Sequence, residues 1–168
     1  MGMIAVYQLI SDEQLTALKK INTENDEIFE EIEEWGEDEE LLIDIDKMWD
    51  TLHFVLTGAD SGTRIADNPL SESIIGITPV CDADGYIAYT ENSKIAKIIA
   101  ALDSFDMEKA LENFSMEECK KADLYPDIWD YEDEIDEIKE DLLVYFQNIK
   151  DFYKQVLAAN GNVVVTIC

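Results

Sequence analysis

Apolar and polar positions along the chain alternate between two periods, and the switches divide it into elements. Residues 3–9 (Met-Ile-Ala-Val-Tyr-Gln-Leu) are short, apolar and partly β-branched, which predicts a buried strand. Ser11 and Gln14 then stand as a capping box ahead of Leu15, Leu18 and Ile21, which recur at helical spacing. From Glu24 to Glu40 nearly every position is acidic, yet Ile28, Phe29, Ile32 and Trp35 keep the helical period. Pro69 opens a short helix carried by Leu70, Ile74 and Ile75, which Gly76 and Thr78-Pro79 stop. A tight turn at Asp84-Gly85 leads into a strand over 86–90, and Asn92 begins a helix with Ile95, Ile98, Ile99 and Leu102 inside. Asp106 and Ser115 read as N-caps of two short helices, and Tyr125-Pro126 breaks the chain.

The longest periodic segment runs from about Glu132 to Ala159, with Ile135, Ile138, Leu142, Tyr145, Phe146, Ile149, Phe152, Tyr153, Val156 and Leu157 near one side. Burying such side chains at roughly 1.5–3 kcal/mol each makes this helix the main support of the fold. Asn160-Gly161-Asn162 ends it, and Val163–Ile167 is apolar enough for an interior strand. These elements predict an α+β fold: one mostly helical domain over residues 1–168, packed on a small sheet that includes both terminal strands.

The block Asp44–Gly58 carries the single histidine of the chain. At 100° per residue, Met48, Leu52, Val55 and Leu56 form an apolar stripe, while Asp46, Asp50, His53 and Thr57 share the other side, bordered by Trp49 and Phe54. Asp44 is the expected N-cap and Gly58 the expected left-handed C-terminal cap.

That block, Ile45-Asp46-Lys47-Xaa-Trp49-Asp50-Xaa-Leu52-His53-Phe54-Xaa-Leu56-Thr57-Gly58, together with Met1-Gly2-Met3-Ile4, Asn68-Pro69-Leu70 and Tyr125-Pro126, resembles the YfbM-like family of small bacterial proteins. The resemblance runs nearly end to end. It implies a single α+β domain and brings no activity with it; the acidic stretch around residues 24–40 departs from the family pattern.

Charge narrows the function classes. With 12 Lys and Arg against 39 Asp and Glu, the formal net charge is −27. Neutralising phosphates needs basic residues, so nucleic-acid binding and anionic membranes are disfavoured. An acidic surface either keeps the protein in solution or attracts a basic partner. The second reading draws on Phe29, Glu30, Glu33, Glu34 and Trp35 in the acidic helix and on Trp129 and Tyr131 among further acids, because aromatics are common binding anchors. Bacterial immunity proteins mask basic toxins in this way, and a non-enzymatic module of that kind is the leading expectation, with its oligomeric state open. The three cysteines are far apart, no secretory leader or membrane-length run occurs, and a cytoplasmic protein is expected.

Candidate chemistry gathers at the histidine. Asp50 and His53 lie three apart, so an orienting carboxylate and an imidazole base can meet, with Ser61 or Ser71 as approaching hydroxyls. The alternative to a binding module is therefore a small-ligand pocket or enzyme using Asp46, Trp49, Asp50, His53, Thr57 and Arg64, the only arginine. No nucleophile elbow, phosphate loop or dinucleotide fingerprint accompanies them, and no cofactor is called for. As metal ligands, Asp46 and His53 would stand roughly 10 Å apart along a helix, too far for one ion. The segment Cys81–Glu91 places Asp82, Asp84, Gly85, Ile87 and Glu91 at EF-hand positions, but Val80 stands where the first carboxylate belongs, and a turn and strand are expected there instead.

Overall fold

The computed structural model describes residues 2–20, 27–37, 39–63, 65–82 and 85–168. Five antiparallel strands make one sheet: β1 (Ala5–Ile10), β2 (Leu42–Asp44), β3 (Thr78–Asp82), β4 (Tyr86–Thr90) and β5 (Asn162–Ile167), in the order β2-β1-β5-β4-β3. The C-terminal strand is central, pairing Val165 with Tyr7 on one side and with Ala88 on the other. All six of its residues are buried. An apolar run with no polar alternation is what a strand covered on both faces requires.

The two outer strands were not foreseen. β2 is three residues long, with Leu42 and Asp44 exposed and only Ile43 turned to the core, too short a stretch for alternation to reveal. β3 contains Pro79 and shifts register between Pro79 and Cys81, which an edge strand tolerates because one side of its ladder is unpaired.

Two layers of unequal size cover the sheet. On one face lie α1 (Asp12–Lys19) and α2 (Glu27–Glu37), whose Leu15, Leu18, Ile28 and Ile32 pack on Ile10, Ile87 and Val164. The capping box at Ser11 and Gln14 forms as expected. Buried Gln8 donates to the Ile32 carbonyl at 3.1 Å, and Gly36 allows the close approach: a Cβ there would stand 2.9 Å from Gln8 Oε1.

The opposite face carries α3 (Trp49–Thr57), α4 (Pro69–Ile75), α5 (Asn92–Ser104), α6 (Met107–Glu112), α7 (Met116–Lys121) and α8 (Ile135–Ala158), the last entered through a 3-10 turn at Glu132–Glu134. Leu142, Phe146, Ile149, Phe152, Tyr153 and Val156 of α8 are all buried. Phe152 meets the Tyr7 ring edge-on with centroids 6.4 Å apart, and the Tyr153 hydroxyl donates to the Ser73 carbonyl at 2.7 Å. Asp106 and Ser115 cap α6 and α7 as read from the sequence. Asn92 is the first residue of α5, and its amide donates to Gly161 while Asn162 accepts from its backbone N–H. This ties the start of α5 to the start of β5.

Candidate functional site

Helix α3 begins later than its sequence pattern indicates. Asp44 belongs to β2, where its carboxylate accepts from the Asp46 N–H, and Met48 occupies the N-cap position without a side-chain bond. Asp46 adopts φ 50°, outside the helix, and is exposed. It therefore drops out of the face shared by Asp50 and His53. Ending the helix at Gly58 holds: its φ is 78° and its N–H reaches the Phe54 carbonyl.

From the first turn of α3, three consecutive residues grip one distant segment. Asp50 Oδ2 accepts from the Tyr125 N–H at 2.9 Å, and the Thr51 hydroxyl donates to the Tyr125 carbonyl at 3.2 Å. Trp49 stacks on the Tyr125 ring, 5.3 Å between centroids and 24° between planes. The indole N–H of Trp49 donates to the Met3 carbonyl at 3.0 Å, while the Met3 N–H donates to the Tyr125 hydroxyl oxygen at 2.6 Å. The other oxygen of Asp50 accepts from both the backbone N–H and the hydroxyl of Ser61, at 2.9 and 2.8 Å. A buried carboxylate with three charge-assisted hydrogen bonds is satisfied in place.

His53 is fully buried and makes a separate set of contacts. Nδ1 lies 2.8 Å from the Ala59 carbonyl, which can only accept, so Nδ1 carries the proton. Nε2 is then bare and accepts from the Ser71 hydroxyl at 2.7 Å. Burial, the dominant effect, lowers the His53 pKa below its ordinary value against the opposing pull of the Ala59 carbonyl and the Asp50 charge, so the ring is neutral. Thr57 Oγ1 completes the turn by donating to the His53 carbonyl and accepting from the Ala59 N–H. The anticipated pairing of Asp50 with His53 is replaced by two parallel clamps, one on Ser61 and Tyr125, the other on Ala59 and Ser71. The polarity of Ser71 and His53 matches a nucleophile and its base. Ser71 is only 1% exposed, however, and its own N–H is taken by the Asn68 side chain. The pair therefore serves to fasten α4 to α3.

The hydroxyls that hold these clamps border open space. A cavity of about 230 Å³ is lined by Trp49, Met3, Ser61, Ile75, Tyr86 and Ile167. A second, about 340 Å³, adjoins it across Ile75 and Tyr86 and reaches Ser71 and Glu72. Of the residues expected in a pocket, Trp49 lines the first cavity, Asp50 stands behind its wall through Ser61 and His53 behind that of the second through Ser71, Thr57 holds the helix end, and Arg64 falls outside the described residues. Ser61 was expected near the pair, whereas Glu72, Tyr86 and Tyr125 were missed, since they come from three segments that only the fold brings together. No group of three or more potential metal ligands occurs among the described residues. Glu91 of the EF-hand-like segment is committed to an ion pair with Lys19. The Ala83–Asp84 part of its turn lies outside the described residues.

The expected partner surface is also sorted by the fold. Glu27, Glu30, Glu31, Glu33, Glu34 and Glu37 of α2 all point outward, while Phe29 and Trp35 are half-buried against the sheet. Residues 24–26 and 38 of the acidic stretch are outside the described residues. Trp129 is no anchor: it is buried, with its indole N–H on the Leu124 carbonyl and its ring edge-on to Phe114. Its neighbour Tyr131 is 57% exposed. No helix among the described residues is long and apolar enough to cross a membrane.

Fold and site together define a class: a small α+β domain whose five-stranded antiparallel sheet is covered unequally on its two faces, with a helix-centred polar network tying distant segments. Residues 1–166 match the family described as "Domain of unknown function (DUF1877)", and the chain belongs to it. It is similar to Protein YfbM of Escherichia coli (strain K12), 29% identical over 126 residues that make up 74% of this chain and 75% of that protein. The crystal structure of YfbM from Escherichia coli, a protein of unknown function, shares the fold with a TM-score of 0.80 at 24% identity, covering 98% of this chain and 99% of that one.

Proposed function

We propose that the protein is a binding module whose acidic α2 face captures and masks a basic protein, in the manner of an immunity protein. The observation that carries this reading is the division of α2 into an inner edge of Ile28 and Ile32 and an outer surface of glutamates. Among the described residues, five ion pairs engage Glu91, Asp103, Glu117 and Asp130, and none of them involves Glu30, Glu31, Glu33 or Glu34. Like charges concentrated on one helix repel each other, and a complementary basic surface relieves that repulsion while steering encounter. Half-buried Trp35 and Phe29 beside the carboxylates supply apolar contact area.

The test is association kinetics of the protein with basic proteins that co-purify with it at low salt. The on-rate should fall steeply with ionic strength, because screening shortens to about 8 Å at physiological salt. Replacing Glu30, Glu31, Glu33 and Glu34 by Gln should slow association, whereas Trp35→Ala should mainly speed dissociation. Binding indifferent to salt and to both variants, or no basic partner at all, would sink the reading.

A further inference from the structure

The larger cavity has a division of its own. Its walls are apolar at Ile65, Ile75, Ile77 and Tyr86, and its polar side is formed by Asp67 and Glu72. The other polar groups that border it are already used: the Ser71 hydroxyl donates to His53 and the Tyr86 hydroxyl to the Ile75 carbonyl. Among the described residues neither carboxylate has an ion-pair partner. At about 340 Å³ the space is at the low end for a drug-sized ligand, which suits one long side chain better than a cofactor.

Resting on the functional reading above, we propose that this cavity receives a lysine or arginine side chain of the basic partner, its methylene stem against Ile75, Ile77 and Tyr86 and its cation between Asp67 and Glu72. A long basic side chain is apolar along its stem and charged only at its tip, and the cavity has the same order. Burial raises the Glu72 carboxyl and the neighbouring Asp67 raises it further, while Lys94 and Lys97 of α5 pull the other way without cancelling the effect. A cation placed there removes the repulsion between the two carboxylates. The site lies on the face of the sheet opposite α2, and the two approach one another at the end of β4. Tyr86 follows Gly85, which lies so close under Phe29 of α2 that a Cβ on it would stand 2.8 Å from the ring.

The experiment is a titration of the isotope-labelled full chain with a capped hexalysine peptide, followed by amide NMR, with the Nε-acetylated peptide as control. Shifts at residues 65–77 and at Tyr86 should saturate with hexalysine and be absent with the acetylated form. Glu72→Gln and Asp67→Asn should each weaken that saturation about fivefold, the scale of one partly exposed ion pair. The four-fold Gln variant of α2 should leave it in place. Shifts confined to α2, or equal affinity of the Glu72→Gln protein, would overturn the cavity assignment while leaving the function reading intact. Saturation in the cavity with no salt-dependent basic protein partner would overturn the function reading alone.

Discussion

The two faces of the sheet are held by different means. On the α8 side, large aromatics and leucines interlock across six helices, and a buried polar network of Asp50, His53, Ser61, Ser71 and Tyr125 fixes how those helices and loops meet. On the α2 side, Ile28 and Ile32, with the hydrogen bond from Gln8, attach a helix whose exposed positions are glutamates. β5 belongs to both, with Val163, Val165 and Ile167 in the larger core and Val164 in the smaller. The contrast shows that one strand can support both a rigid scaffold and a lightly fastened charged surface, and that acidity need not intrude on the core.

The largest effect should come from the larger core. Phe152→Ala removes a ring packed on Tyr7 and Tyr153 and is expected to cost about 3–5 kcal/mol, read by chemical denaturation. Ile32→Ala should cost about 2–5 kcal/mol by the same rule, yet hydrogen exchange should show α2 opening while α8 stays protected. If both variants lose protection everywhere, the two faces are one cooperative unit and the contrast fails.

Next is the polar network. Asp50→Ala leaves the half-buried N–H groups of Ser61 and Tyr125 without their acceptor and should destabilise by about 1–3 kcal/mol. Stability unchanged within error would show that these donors find other partners.

His53 gives a smaller effect that depends on pH. Burial lowers its folded-state pKa, so the unfolded chain binds a proton more readily than the native protein. The contribution of His53 is therefore fully present above its unfolded value of about 6.5 and is lost as pH falls from there toward the folded pKa. Denaturation midpoints measured between pH 7.5 and 5.5 should decline in the wild type and decline less in His53→Gln. Equal slopes would show that the ring does not titrate in this window.

The smallest effect belongs to the acidic surface. Replacing Glu30, Glu31, Glu33 and Glu34 by Gln should leave stability within about 0.5 kcal/mol or raise it slightly, since exposed groups away from packing contribute little. A large loss in thermal unfolding would mean the carboxylates hold α2 in place, and that the surface is structural.

The sequence by itself determined most elements, because local patterns decide them. The capping box at Ser11, the N-caps at Asp106 and Ser115, the left-handed Gly58 and the stripe of α8 depend on neighbours within a turn or two. The apolar run at Val163–Ile167 likewise announced a strand covered on both sides. What only the tertiary structure decided are matters of long-range partnership. Helical spacing placed Asp50 beside His53, but the carboxylate turned to Ser61 and Tyr125 and the imidazole to Ala59 and Ser71, since a buried group takes whichever partner best satisfies it. Asp46 left the helix because Leu42–Asp44 was drawn into pairing with β1, and Trp129 turned inward because Leu124 offered its indole a carbonyl. Periodicity cannot see such choices: each joins residues far apart in the chain, and the free energy that selects them exists only once the sheet and its helices have met.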